Sequence, residues 1–188
     1  MDENKDEENN KKIIIFQEYN DNKIKKMRLD KEKKMRIETK TWGLTNNDLN
    51  HEKQLSILKT LLQDDEEKNK YNSIFKSHIK HKISSYKQQD ILKKKLDETS
   101  FINFEYVVEL LKQCELKCHY CSEEMFILYE IVRELKQWSL DRINNNIGHN
   151  VSNLVVSCLE CNLKRRRTNK DAFMFTKNMV IIKEGVTK

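Results

Sequence analysis

Apolar residues recur along this chain in two rhythms, and each predicts a different kind of element. Spacings of three and four residues mark helices. Leu55, Leu58 and Leu62 keep that spacing behind Thr45 and Asp48, a capping box with Asp in place of Glu, and predict a helix over 46–62. Phe75, Ile79, Ile83 and Tyr86 predict a longer helix over 71–95. Phe104, Val107, Val108, Leu111 and Cys114 form a third stripe, with Asn103 as its cap and Glu105 at the positive end of the helix dipole. Over 138–143 the pattern alternates instead, as in a half-buried strand, and Leu154-Val155-Val156 reads as its partner. Segment 125–132 is apolar but admits either a helix or a strand.

The chain before these elements is written differently. Residues 1–12 are polar and acidic and are expected to be disordered; Ile13-Ile14-Ile15-Phe16 then gives either a strand or a docking peptide. Stretch 23–40 reads as a charged helix without an apolar stripe, one that would order against a protein partner, and 64–70 as a connector. The expected organisation is an acidic tail over 1–22, a charged helical extension over 23–99 and a small α+β domain over 100–188.

Composition narrows the classes. A chain of 188 residues with 37% hydrophobic and 35% charged residues supports only modest cores. No apolar run approaches the roughly 20 residues that cross a bilayer, and the acidic N-terminus is unlike a secretory signal. A soluble protein of a reducing, intracellular compartment is expected. The absence of proline and the abundance of Lys and Asn read as genomic A/T bias, which warns against giving meaning to the run Asn144 to Asn146.

The five cysteines change the picture most, because four of them form the pairs Cys118-His119-Tyr120-Cys121 and Cys158-Leu159-Glu160-Cys161. Two intervening residues let both thiolates of a pair turn onto one ion, and two pairs complete the tetrahedral shell of a structural zinc. The remaining Cys114 lies on a helix stripe and reads as packing, with a spare ligand the alternative. His119 then finds no vacancy on the metal, and Tyr120 and Trp138 read as core. Net charge is +6, and basic residues gather over 23–40, over 76–95, and at Lys164, Arg165, Arg166, Arg167 and Lys170. The first two stretches are solvated faces or nucleic-acid contacts in equal measure. The third follows the second cysteine pair directly, where a phosphate backbone is the polyanion to receive it.

Cys118-x-x-Cys121, Leu140-Asp141-Arg142-Ile143, Gly148-His149, Asn153-Leu154-Val155-Val156 and Cys158-x-x-Cys161-Asn162 together resemble the HNH endonucleases, or ββα-metal nucleases. The resemblance covers 100–170 and is nearest the four-cysteine, zinc-braced members with a Leu-Asp-Arg-Ile element, which are associated with large DNA viruses; the stretch from Ile83 to Asp90 is a candidate part of the same module. It implies a zinc-stabilised ββα-metal domain and metal-dependent hydrolysis of phosphodiester bonds, with DNA as partner. It also implies a catalytic Mg²⁺ or Mn²⁺ held by Asp141 and Asn162, with Asn153 steadying the loop that carries the base.

Arg142 departs from the pattern, standing where many relatives carry the proton-accepting histidine, and a guanidinium cannot act as a base. His149 is the substitute candidate, with Arg142 left to clamp phosphate. The alternative reading is a catalytically inactive nucleic-acid-binding module or an assembly protein.

Overall fold

The computed structural model describes residues 33–62 and 70–179. The chain divides into two units, Met1–Lys33 and Lys34–Lys188. The tail over 1–22, the run Ile13 to Phe16, most of the stretch 23–40 and nearly all of the connector 64–70 lie outside the described residues.

A single turn, α1 (Thr39–Trp42), ends at Gly43, whose φ of 60° is the left-handed conformation a helix stop favours. Thr45 and Asp48 do form a capping box, with the Asp48 carboxylate accepting from the Thr45 N–H at 2.8 Å. The helix expected across 46–62 is nonetheless broken into a 3-10 turn (Asn46–Leu49) and α2 (His51–Thr60). Asn50 makes the break, because its extended backbone places its side chain to accept from the Glu52 N–H and cap a new helix. The long helix α3 (Lys70–Leu92) buries Phe75, Ile79 and Tyr86 as its stripe predicts, and continues that stripe to a buried acid, Asp90. In α4 (Phe104–Gln113) the Asn103 side chain caps by accepting from the Tyr106 N–H at 2.8 Å, and Val107, Val108 and Leu111 face inward.

Helices α2, α3 and α4 pack on one another, and Leu58, Phe75, Ile79, Val107, Val108 and Leu111 share one core with Trp138 and Leu140 of the sheet. From Lys34 onward the extension read at 23–99 therefore belongs to the same compact unit as 100–188. Segment 125–132 is neither helix nor strand. It is held by isolated bridges, Met35 to Ile131 and Phe126 to Gln137, and by the buried Gln54. The Gln54 carbonyl accepts from the Ile127 and Leu128 N–H groups, and its amide donates to the Leu49 and Leu128 carbonyls. One side chain thus supplies the partners that a ladder would otherwise give.

The remaining elements follow in the expected order. Strand β1 (Trp138–Arg142) pairs antiparallel with β2 (Leu154–Cys158), Trp138 opposite Cys158 and Arg142 opposite Leu154. Without a residue between, β2 runs into α5 (Leu159–Arg165), and α6 (Lys170–Asn178) follows behind its Asn169 cap. Among the described residues no helix is long and apolar enough to cross a membrane.

Candidate functional site: a cationic cleft beside a four-cysteine cluster

The cluster is built by the turn after α4 and by the β2–α5 junction. The sulfurs of Cys118, Cys121, Cys158 and Cys161 all lie within 4.8 Å of one another, and those of Cys121 and Cys158 are 3.9 Å apart. A tetrahedral thiolate site with bonds of about 2.3 Å spaces its sulfurs by about 3.8 Å, so the quartet fits a metal such as zinc. Two backbone groups point at it, the Tyr120 N–H at Cys118 Sγ and the Cys161 N–H at Cys158 Sγ, each at 3.4 Å. The hydrogen bond with Cys158 pulls the Cys118 thiol far below its ordinary value, while Cys158 is raised by the same bond and Cys161 is pushed up to about 12 by burial and the neighbouring charge. A metal bound there would hold these sulfurs as thiolates and release their protons. Cys114 stays outside the quartet, its thiol donating to the Leu111 carbonyl, and His119 is exposed.

Tyr120 connects the cluster to β1. It is buried, and its hydroxyl donates to Asp141 Oδ2 at 2.7 Å. Arg165 takes the other oxygen: its Nη1 donates to Asp141 Oδ1 at 2.7 Å and to the Arg142 carbonyl, and its Nη2 donates to the Ile143 carbonyl. Arg165 is only 1% exposed, so it is a staple between α5 and the end of β1 and not the surface cation that its place in the basic cluster suggests. Burial raises the Asp141 carboxyl, and the bonds from Tyr120 and Arg165 oppose that rise. Asn162, one turn into α5, donates its amide to Ser139 Oγ and to the Leu140 carbonyl. As these side chains stand, Asp141 and Asn162 do not make a divalent-ion site: the donors are suitably hard oxygens, but the one carboxylate is already neutralised by a buried guanidinium.

Asp141 and Asn162 line one cleft of about 630 Å³, together with Arg142, His149 and Arg166. Its floor is β1 and its far wall is α3. The loop between the strands is shaped by Asn153, which accepts from the Asn144 N–H and donates to the Asn144 and Gly148 carbonyls. That brings His149 against Asp90. The His149 backbone N–H donates to Asp90 Oδ2 at 2.6 Å, and its Nδ1 lies 2.9 and 3.0 Å from the two carboxylate oxygens. A carboxylate only accepts, so Nδ1 carries the hydrogen and Nε2 the lone pair. Nε2 has no hydrogen-bond partner among the described residues. Burial lowers the His149 pKa, and the Asp90 charge works against that, so the ring is neutral at pH 7. Gly148 is required for this contact, because a Cβ there would meet the Lys95 carbonyl at 2.5 Å and Asp90 Oδ2 at 2.8 Å.

Asp90 is the residue that the motifs miss. Its signal is its position: it continues the helical series 75, 79, 83, 86 inward, where an acid stands only with a partner. Arg142 also faces this pair, its Nη1 3.7 Å from Asp90 Oδ1. The rest of the basic cluster divides. Arg166 and Arg167 line an adjoining cavity of about 430 Å³ with Lys93, Lys95 and Arg142, whereas Lys164 is paired with Glu160 and Lys170 lies near Asp171. No family model matches the chain, and no curated protein or solved structure does either.

Proposed function

We propose that the chain is a nuclease of the HNH type that hydrolyses phosphodiester bonds in DNA, with a zinc on Cys118, Cys121, Cys158 and Cys161 bracing the site. The observation that carries this reading is the Asp90–His149 pair, a neutral imidazole with its lone pair unengaged, at the edge of a cleft lined by cations. His149 Nε2 takes a proton from water as the water oxygen attacks phosphorus. Asp90 fixes the tautomer and stabilises the imidazolium that forms, the part an orienting carboxylate plays for other histidine bases. Arg142 and Arg166 take up the negative charge that develops on the phosphate oxygens. Mg²⁺ or Mn²⁺ at Asp141 and Asn162 would polarise the same phosphate, but would require Arg165 to give way, so no step here depends on it.

Plasmid DNA incubated with the zinc-loaded chain, with and without added Mg²⁺ or Mn²⁺, tests the reading. Nicking that drops by about 10²–10⁴ in His149→Ala is the expected result. Intact plasmid under every condition, or nicking that His149→Ala leaves unchanged, overturns it.

One observation favours a second reading, a zinc-braced binding module without catalysis. The single acid of the motif, Asp141, is held by Arg165. In that case DNA is bound without divalent ions, and never cut.

A further inference from the structure

Lys82 stands on the inward face of α3, one turn before Tyr86 and two before Asp90, and lines the same cleft as His149, Asp141 and Asn162. In an antiparallel pair alternate residues turn their backbone groups away from the partner strand, and the outer edge of β1 must find its partners elsewhere. The Leu140 N–H donates to the Tyr86 hydroxyl, the Leu140 carbonyl accepts from Asn162, and the Trp138 carbonyl accepts from the Lys82 ammonium. Lys82 and Asn162 therefore dock on successive outward carbonyls, about 7 Å apart along the strand.

The surroundings of the amine are unusual for a strut. Its Nζ lies 4.6 Å from the Trp138 ring centre and 5.8 Å from that of Tyr129. The charged or titratable groups beside it are Arg36, His78 and Tyr129, with His81, Tyr86, Asp141 and His149 elsewhere on the cleft lining, and among the described residues it forms no ion pair with a carboxylate. A half-buried cation without a counter-ion carries a desolvation cost, and an anion entering the cleft offsets it. Burial and Arg36 hold its pKa down to about 7 in the empty cleft. A phosphate diester beside it supplies the missing charge and favours the protonated amine.

Helix geometry places Lys82 and the acid that holds the base at different levels along the cleft. Eight residues separate Lys82 from Asp90, about 12 Å along the axis, with Tyr86 between them and its ring 4.5 Å from that of His149. In-line displacement at phosphorus puts the attacking and leaving oxygens on opposite sides. A base and an acid each one hydrogen bond away from those oxygens then stand about 9–10 Å apart.

We propose that Lys82 is the proton donor to the leaving oxygen of the phosphodiester cut in this cleft; the inference rests on the nuclease reading above. The water oxygen bonds to phosphorus and its proton passes to His149 Nε2. The bond from phosphorus to the leaving oxygen breaks, its electron pair stays on that oxygen, and the Lys82 ammonium gives the proton that neutralises it. The products are a phosphate monoester and an alcohol, and solvent restores both protonation states.

The test compares two duplex oligonucleotides that carry the linkage the wild-type chain cuts, one with oxygen and one with sulfur as the bridging leaving atom, using the zinc-loaded full chain and Lys82→Met. Methionine keeps an unbranched apolar stem between the Trp138 and Tyr129 rings. A thiolate leaves without protonation, so the variant should lose about 10²–10⁴ in kcat on the oxygen substrate and stay within about tenfold of wild type on the sulfur one. Equal losses on both substrates would make Lys82 a structural strut, and no loss on either would make it a bystander; each overturns the proposal. A variant that misfolds falls into the first class, and an unchanged zinc content and melting temperature separate the two causes. If the wild-type chain cuts neither substrate, it is the nuclease reading that fails.

Discussion

Arg165 carries an ionic burden at the centre of the site that its neighbours in sequence do not. Its guanidinium joins a buried carboxylate to two carbonyls at the end of β1, so removing it strands the Asp141 charge in a nearly dry position. Arg165→Met should cost about 3–5 kcal/mol in chemical denaturation, and adding Asp141→Leu to it should recover much of that loss. If the two effects simply add in the double-mutant cycle, the pair is not coupled as described. His78 makes a pH-dependent contribution. Its Nε2 lies 3.3 Å from Arg36 Nη2, which can only donate, and burial and the charge of Arg36 hold its pKa at about 4. Unfolded histidine titrates near about 6.5, so the unfolded chain binds more protons between these values. The His78 contribution is intact above pH of about 6.5 and is lost as the pH falls toward 4. His78→Leu should flatten the fall in melting temperature across that window, and an identical slope in the variant would remove His78 as its source.

Among the elements, the loop between β1 and β2 matters most to the site, because three contacts hold it against α3 and its C-terminal turn. His149 reaches Asp90, the Asn145 carbonyl accepts from Lys95, and Gly148 sits where no side chain fits. The two nearest of the three atoms crowding Gly148 belong to groups already fixed, one of them backbone, so the strain of a methyl group cannot relax cheaply. Gly148→Ala should destabilise by about 1–3 kcal/mol and shift the His149 ring resonances in an NMR spectrum. An unperturbed histidine spectrum would show that the loop tolerates the methyl group and that the close approach is not what seats His149.

For the whole unit from Lys34 onward, the arrangement of charge tells more than the net value of +6. Lys93, Arg142 and Arg166 line both the main cleft and the adjoining cavity, which Arg167 extends, so a continuous cationic track runs past the site. Four phosphate contacts along it would give a slope of about −3 to −4 in log K against log salt concentration for duplex DNA. Arg166→Glu with Arg167→Glu should reduce that slope by about 2, whereas Lys164→Glu, at a residue already paired with Glu160, should leave it nearly unchanged. Equal effects from both substitutions would mean that binding spreads over the basic surface and is not concentrated in the track.

Periodicity and cysteine spacing already determined the helices carrying Phe75 and Val107, the hairpin at Trp138 and Leu154, and the quartet of sulfurs, because each depends on residues that are neighbours in sequence or share a short repeat. Two elements escaped, one for a local reason and one for a distant one: Asn50 offered its own cap and split a helix, and segment 125–132 took its hydrogen bonds from Gln54, a partner more than seventy residues away. The site divides along the same line. Asp141, His149, Asn153 and Asn162 could be named as candidates beforehand, through the resemblance that the motifs carry. Whether a cation is buried or exposed, and which acid meets which histidine, depends on distances across the core that no local pattern encodes. Arg165 and Arg166 are adjacent in sequence yet point into the protein and into the cleft. Asp90 meets His149 across 59 residues of chain because α3 and the loop are pressed together by the shared core.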